Sequence, residues 1–154
     1  MDDLSRLGEV AFDSTALIEM HRKSRETFLQ LALAKLEIYV CVLSIYEFLS
    51  SLAYYGVADV RRVLELLKKL YHIVPIDDDI LVKASEIDAD LTRKGLFMNQ
   101  IDLIVATMAI QRRLTLVTSR AEAYEPFKSY GLKVMDTVSF LSMLEKYLRS
   151  MKLI

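Results

Sequence analysis

Apolar positions along the chain alternate between two spacings, one suited to buried strands and one to amphipathic helices. Val10, Ala11 and Phe12 run straight into Asp13, which predicts a short buried strand; from Ser14 the spacing turns helical, with Leu17, Ile18 and Met20 facing inward. Ser24 to Glu37 places Phe28, Leu29, Leu31, Ala32 and Leu36 three or four residues apart, an amphipathic helix. Ile38 to Leu43 (IYVCVL) is a continuous β-branched and aromatic run, suited to a strand covered on both faces. Ser44 then reads as a helix cap with Glu47 three residues on, a capping box that opens SIYEFLSSLAYYG, with Gly56 at its end. Val60, Val63, Leu64, Leu67, Leu70 and Tyr71 stripe a further helix from Asp59 to Tyr71.

Ile73 to Ile76 (IVPI) is a short strand whose proline favours a sheet edge or a strand end. Asp77, Asp78 and Asp79 open a helix that runs to about Lys94 and closes at Gly95; acids there compensate the helix dipole. MNQIDLIVATMAIQRR is helical, Leu114 to Thr118 and Leu132 to Met135 are strands, and Asp136-Thr137 begins a last helix. Strands separated by helices predict one α/β domain over residues 1–154. It has three layers, α/β/α, around a central, mostly parallel sheet. Ligands of such sheets bind at the carboxyl ends of the strands, which is where Asp13 and Thr118 fall.

Composition narrows the class further. The chain has 154 residues, 53% of them hydrophobic, with two prolines and four glycines, enough apolar surface for a sizeable core and too little turn chemistry for a disordered chain. A net charge of −1 writes no global attraction to nucleic acid into the sequence, so phosphate contacts would have to come from a local patch. Arg22, Lys23, Arg25, Arg93, Lys94, Arg112, Arg113 and Arg120 are the candidates. The single cysteine, Cys41, lies in an apolar run and reads as a buried hydrophobe. The acidic start MDDLSRLGEV has no signal-peptide character, and no apolar run approaches a membrane span, so the expected location is the cytoplasm.

Familiar catalytic signatures are missing. The glycines are isolated, which excludes phosphate-loop and dinucleotide fingerprints, and His21 and His72 have no Cys or His at zinc-ligand spacing. What stands out is a set of carboxylates in apolar surroundings: Asp13 after VAF, Glu47 inside SIYEFL, and Asp102 inside MNQIDLIVATMAI. Each has a plainer explanation: Asp13 as a helix cap, Glu47 as the acid of a capping box, Asp102 facing solvent. Together they suggest a shared hard cation, Mg²⁺ or Mn²⁺. Such an ion activates water and steadies charge on a phosphodiester.

DSTAL at Asp13, SIYEF around Glu47 and the run GLFMNQIDLIVATMAIQRRLTLVTS resemble, in order and over nearly the whole chain, the PIN-domain ribonucleases and their VapC-type toxins. The third element, Asp102 to Ala106, is one residue looser than the usual form. The resemblance implies that Asp13, Glu47 and Asp102 bind metal and catalyse, with Ser14, Thr15 and Thr118 in support. Where the family places an acid or asparagine two residues after that threonine, this sequence has Arg120. Glu122 or Asn99 could supply the missing oxygen, and Arg120, Arg112 and Arg113 could hold RNA phosphates. The resemblance further implies an RNA substrate, a homodimer and a cognate antitoxin. Arg120 keeps open a second reading, a weakened or inactive module that binds RNA or protein. A haloacid-dehalogenase-type phosphotransferase is disfavoured, since position 15 is Thr15 and not an aspartate.

Overall fold

The structure is a computed structural model that describes residues 3–152; Met1, Asp2, Leu153 and Ile154, the ends of the expected 1–154 domain, lie outside the described residues. Five strands make the sheet: β1 (Glu9–Phe12), β2 (Glu37–Cys41), β3 (His72–Val74), β4 (Thr115–Thr118) and β5 (Lys133–Asp136). Every pairing is parallel and the spatial order is β3-β2-β1-β4-β5. β3 is an edge of the sheet and stops at Val74, one residue short of Pro75, so the strand expected over Ile73 to Ile76 ends before its proline. β1 lies at the centre, and the chain leaves it first toward β2 and later returns on its other side as β4. The carboxyl ends of β1 and β4 therefore form the switch point of the sheet, the crevice at which sheets of this kind bind ligands.

Helices cover both faces. α1 (Asp3–Leu7), α2 (Ser14–Met20), α3 (Glu26–Lys35), α4 (Val42–Tyr54), α5 (Val60–Leu70) and α8 (Thr137–Ser150) contribute to one core with Val10, Phe12, Ile38, Val40 and Val117 of the sheet. α6 (Asp78–Arg93) and α7 (Gln100–Arg112) pack on the opposite face against Ala11, Cys41 and Leu116. Adjacent strand residues thus feed opposite cores, which is why these strands read as unbroken apolar runs.

Several boundaries differ from the sequence expectation, the strands at His72–Val74 and Lys133–Asp136 among them. The segment expected as one helix from Ser24 to Glu37 begins as a 3-10 turn over Lys23–Arg25 and ends at Lys35, with Glu37 already in β2. The strand expected to reach Leu43 ends at Cys41, and Val42 starts α4. Cys41 is then the cap position and Ser44 is buried inside the helix, its Oγ without a partner, so no Ser44–Glu47 capping box forms. α1 was not expected: five residues are too few for a periodic signal, although Leu4 is buried. Cys41 is buried as expected, and burial pushes its thiol pKa up. Among the described residues no helix is long and apolar enough to cross a membrane.

Candidate active site

At the tip of β1 the chain turns directly into α2, and Asp13 is the residue of the turn. Its Oδ1 caps the helix, accepting from the Ala16 N–H at 2.9 Å, and also accepts from Thr15 Oγ1 at 2.6 Å. Its Oδ2 accepts from Thr118 Oγ1 at 2.6 Å, at the end of β4, and from Tyr124 Oη at 3.1 Å. A carboxylate only 2% exposed needs such partners, and these aim it as well as solvate it. Thr15 Oγ1 further accepts the Ser119 N–H at 2.8 Å, and Ser119 Oγ lies 3.0 Å from Thr137 Oγ1. Hydroxyl groups thereby stitch together the ends of β1 and β4 and the start of α8.

Asp102 comes to the same place from the other layer. α7 runs antiparallel to the strands, so its amino end overlies their carboxyl rim. Asn99 caps it, its Oδ1 accepting from the N–H groups of Ile101 at 2.9 Å and Asp102 at 3.1 Å. Asp102 thus stands in the first turn, where the helix dipole favours a negative charge, and not in mid-helix as the uninterrupted apolar pattern suggested. It is buried, and its Oδ1 lies 3.2 Å from Tyr124 Oη. One phenol oxygen therefore stands between the Asp13 and Asp102 carboxylates. Burial, reinforced by the two negative charges, drives the Tyr124 pKa far up, so the group stays a hydrogen-bond donor.

Glu47 approaches the two acids from α4, near enough for their charges to act on it. Burial raises its carboxyl pKa above the ordinary range; a hydrogen bond from Ser14 opposes this, the charges of Asp102 and Asp13 add to it, and Arg120 offsets it. Ser14 therefore serves Glu47, while Thr15 serves Asp13. Arg120 provides the counter-charge: its Nη2 lies 2.9 Å from Asp102 Oδ1 and its Nη1 3.4 Å from Oδ2. Burial works against the guanidinium charge, but the Asp102 carboxylate outweighs it and keeps Arg120 protonated.

The PIN domain family matches residues 10–125, a span that includes Asp13, Glu47, Asp102, Arg120 and Tyr124. The chain belongs to the PIN-domain family. Within it, a VapC ribonuclease of Pyrococcus furiosus is 35% identical over 137 residues, covering 89% of this chain and 91% of its own length. The fold matches that of VapBC2 from Rickettsia felis bound to a promoter DNA fragment, with a TM-score of 0.67 at 19% identity over 83% of this chain and 98% of that one. It also matches VapBC-1 from nontypeable Haemophilus influenzae, with a TM-score of 0.68 at 16% identity over 83% and 97% of the two chains.

This PIN domain gathers some of the expected site residues and leaves others elsewhere. Asp13, Ser14, Thr15, Glu47, Asp102, Thr118 and Arg120 share the crevice. Asn99 is spent on the helix cap. Glu122 is exposed and lines a separate groove with Glu125, Lys128, Asp136 and Ser139, beside β5. Arg112 and Arg113 end α7 ten or more residues beyond Asp102, about 15 Å along the helix axis. Arg112 there lies over the Tyr39 ring, 5.6 Å from its centroid, at the amino end of the sheet. Tyr124 is the site residue that sequence reasoning missed. Its signal was faint: an aromatic in the segment Ala121–Tyr130, between two expected strands, which forms 3-10 turns that bury Tyr124 and Phe127 together.

The donor chemistry of this cluster fits a hard divalent ion, since every candidate ligand is a carboxylate oxygen and the three charges act on one another. As folded, no three acidic, cysteine or histidine side chains among the described residues close on a common point, and the positive charge at the centre is that of Arg120.

Proposed function

We propose that this PIN-domain protein is a metal-dependent endoribonuclease, the toxin of a toxin–antitoxin pair. The observation that carries the reading is the meeting of Asp13 and Asp102 at the Tyr124 hydroxyl, with Glu47 in the same field, at the switch point of the sheet. Nothing in the core needs three acids there, and holding them together works against their mutual repulsion. The similarity to a VapC ribonuclease over 89% of the chain supports the same activity.

Asp13, Glu47 and Asp102 are the residues that would hold Mg²⁺ or Mn²⁺. Such an ion supplies a Lewis acid that lowers the pKa of water and neutralises charge on a phosphodiester. The protein's part is orientation. Thr15 and the Ala16 N–H fix Asp13 Oδ1, Thr118 and Tyr124 fix Oδ2, and Ser14 restrains Glu47. Arg120 is the cation placed to meet an RNA phosphate at the crevice, whereas Arg112 and Arg113 would touch only an RNA that wraps to the other end of the sheet.

Toxin–antitoxin complexes among the structural neighbours support an antitoxin as partner. Tyr46, Tyr54, Tyr55 and Leu66 leave α4 and α5 with exposed apolar surface for that partner or for a second copy of the chain. A soluble cytoplasmic protein fits this role.

The decisive experiment is cleavage of a mixed RNA pool by purified protein with Mg²⁺ or Mn²⁺, against chelator and against Asp102→Asn. Cleavage should need the metal and vanish in the variant, whose circular dichroism should match the parent. Metal-independent cleavage, or full activity in Asp102→Asn, removes the acids from the chemistry. No cleavage at any metal concentration favours the second reading, a binding module in which Arg120 has replaced catalysis.

A further inference from the structure

Arg120 lies across Asp102 as a fork, its two terminal nitrogens facing the two carboxylate oxygens. The pair is lopsided: the Asp102 side chain is 7% exposed and the Arg120 side chain 44%. A buried carboxylate is costly without a partner, and the guanidinium is the cation that touches it. A divalent ion held by Asp102 needs the same oxygens, and placing it beside the guanidinium would set like charges against each other in a poorly solvated crevice.

We infer that Arg120 is a built-in counter-cation of the acid cluster, and that the guanidinium and a divalent ion occupy Asp102 in alternation. The inference rests on the metal reading above. Three observations carry it. Both Asp102 oxygens are engaged by Arg120, while Tyr124 offers Oδ1 only a neutral partner. The acids do not group into a ready cation site in this state. The half-exposed Arg120 side chain can also swing outward without opening the core, because its backbone is pinned separately, its N–H donating to Thr118 Oγ1 at 3.0 Å. The contact keeps three clustered acids compatible with folding when metal is scarce, and it sets the metal concentration at which the site converts. Arg120 is in this sense a positioning residue that tunes metal affinity.

The test is Mn²⁺ binding, followed by the electron-paramagnetic signal of the free ion and by calorimetry, in the wild type and Arg120→Gln. The variant should bind Mn²⁺ at least tenfold more tightly. It should also melt at a lower temperature in chelator and gain more from added Mn²⁺ than the wild type does. Equal or weaker affinity in the variant overturns the inference and leaves the metal reading standing. No Mn²⁺ binding by either protein overturns both. A second measurement needs no variant: in wild-type protein titrated with Mg²⁺, the Arg120 side-chain N–H resonances should shift as the ion pair opens. Resonances that stay fixed while Mg²⁺ saturates the protein overturn the inference.

Discussion

Thr118, the last residue of β4, donates its hydroxyl to Asp13 Oδ2 at 2.6 Å, joining the ends of two neighbouring strands that are 105 residues apart in the chain. Thr118 Oγ1 in turn accepts the Arg120 N–H at 3.0 Å. A fully buried side chain therefore sets both the first acid and the backbone of the residue that faces the third.

Thr118→Val keeps the shape and removes the hydroxyl. It strips Asp13 Oδ2 of its shortest bond and orphans the Arg120 N–H, so unfolding in urea should show a loss of about 1–3 kcal/mol. Thr118→Ser, which keeps the oxygen, should lose less. Equal losses in the two variants would mean that the methyl group matters as much as the hydrogen bonds.

Tyr124→Phe isolates a single oxygen in a residue that is otherwise core. The ring still packs beside Phe127, whose centroid lies 6.2 Å away, but Asp13 and Asp102 lose the donor between them. One hydroxyl proton serves only one of the two acids at a time, so its removal should cost about 1–3 kcal/mol by denaturant unfolding, with the fold intact by circular dichroism. RNA cleavage by the folded variant should fall through kcat more than through KM, since the tyrosine orients acids and does not itself touch substrate. A change confined to KM would argue instead that Tyr124 contacts RNA.

Much of this arrangement was legible from the sequence, and the exceptions have physical causes. Strands buried on both faces produce continuous apolar runs, so the sheet could be read from its sequence pattern. IYVCVL also hid a boundary: Val42 and Leu43 favour strand by residue type, yet the sheet ends at Cys41 because its neighbour β3 ends beside it, at Val74. Asp13 could be placed because a strand tip and a helix cap coincide there, and the plain capping role turned out to be part of the site. Asp102 looked like a mid-helix acid because the helical pattern was read as starting before Asn99, although asparagine is a favoured cap residue and the helix begins just after it. Arg120 was visible as an anomaly, but a sequence carries no sign that its guanidinium would reach back to Asp102. Tyr124 was invisible for a related reason, since its partners lie 111 and 22 residues away.

Acid stability should carry the mark of His21, well away from the crevice. Burial lowers its pKa below the ordinary 6.5, and its Nε2 lies 2.7 Å from the Tyr71 hydroxyl, which burial keeps protonated. Between the lowered value and 6.5 the unfolded chain binds more protons at this position than the folded one. Its contribution is therefore fully present above 6.5 and is lost as pH falls through that window, levelling off below the folded value. Unfolding free energies measured from about pH 7 downward should fall less steeply in His21→Gln. A proton-resonance titration that places His21 at or above its ordinary value would remove this source of acid sensitivity.

Asn99 separates two roles cleanly. Its Oδ1 already accepts two backbone N–H groups at the start of α7, so the side chain acts as a cap and has little left to offer a metal ion. Asn99→Ala should cost about 1 kcal/mol by denaturant unfolding, from the two orphaned donors, and should loosen the turn that presents Asp102. Asn99→Asp keeps the acceptor and adds a charge that the helix start favours, so its stability should match or exceed the parent. Its Mn²⁺ affinity should stay within a few-fold of the parent, because the carboxylate would remain folded against the helix. A large gain in Mn²⁺ affinity with no gain in stability would show that position 99 reaches the ion after all, and that the cap yields when metal binds.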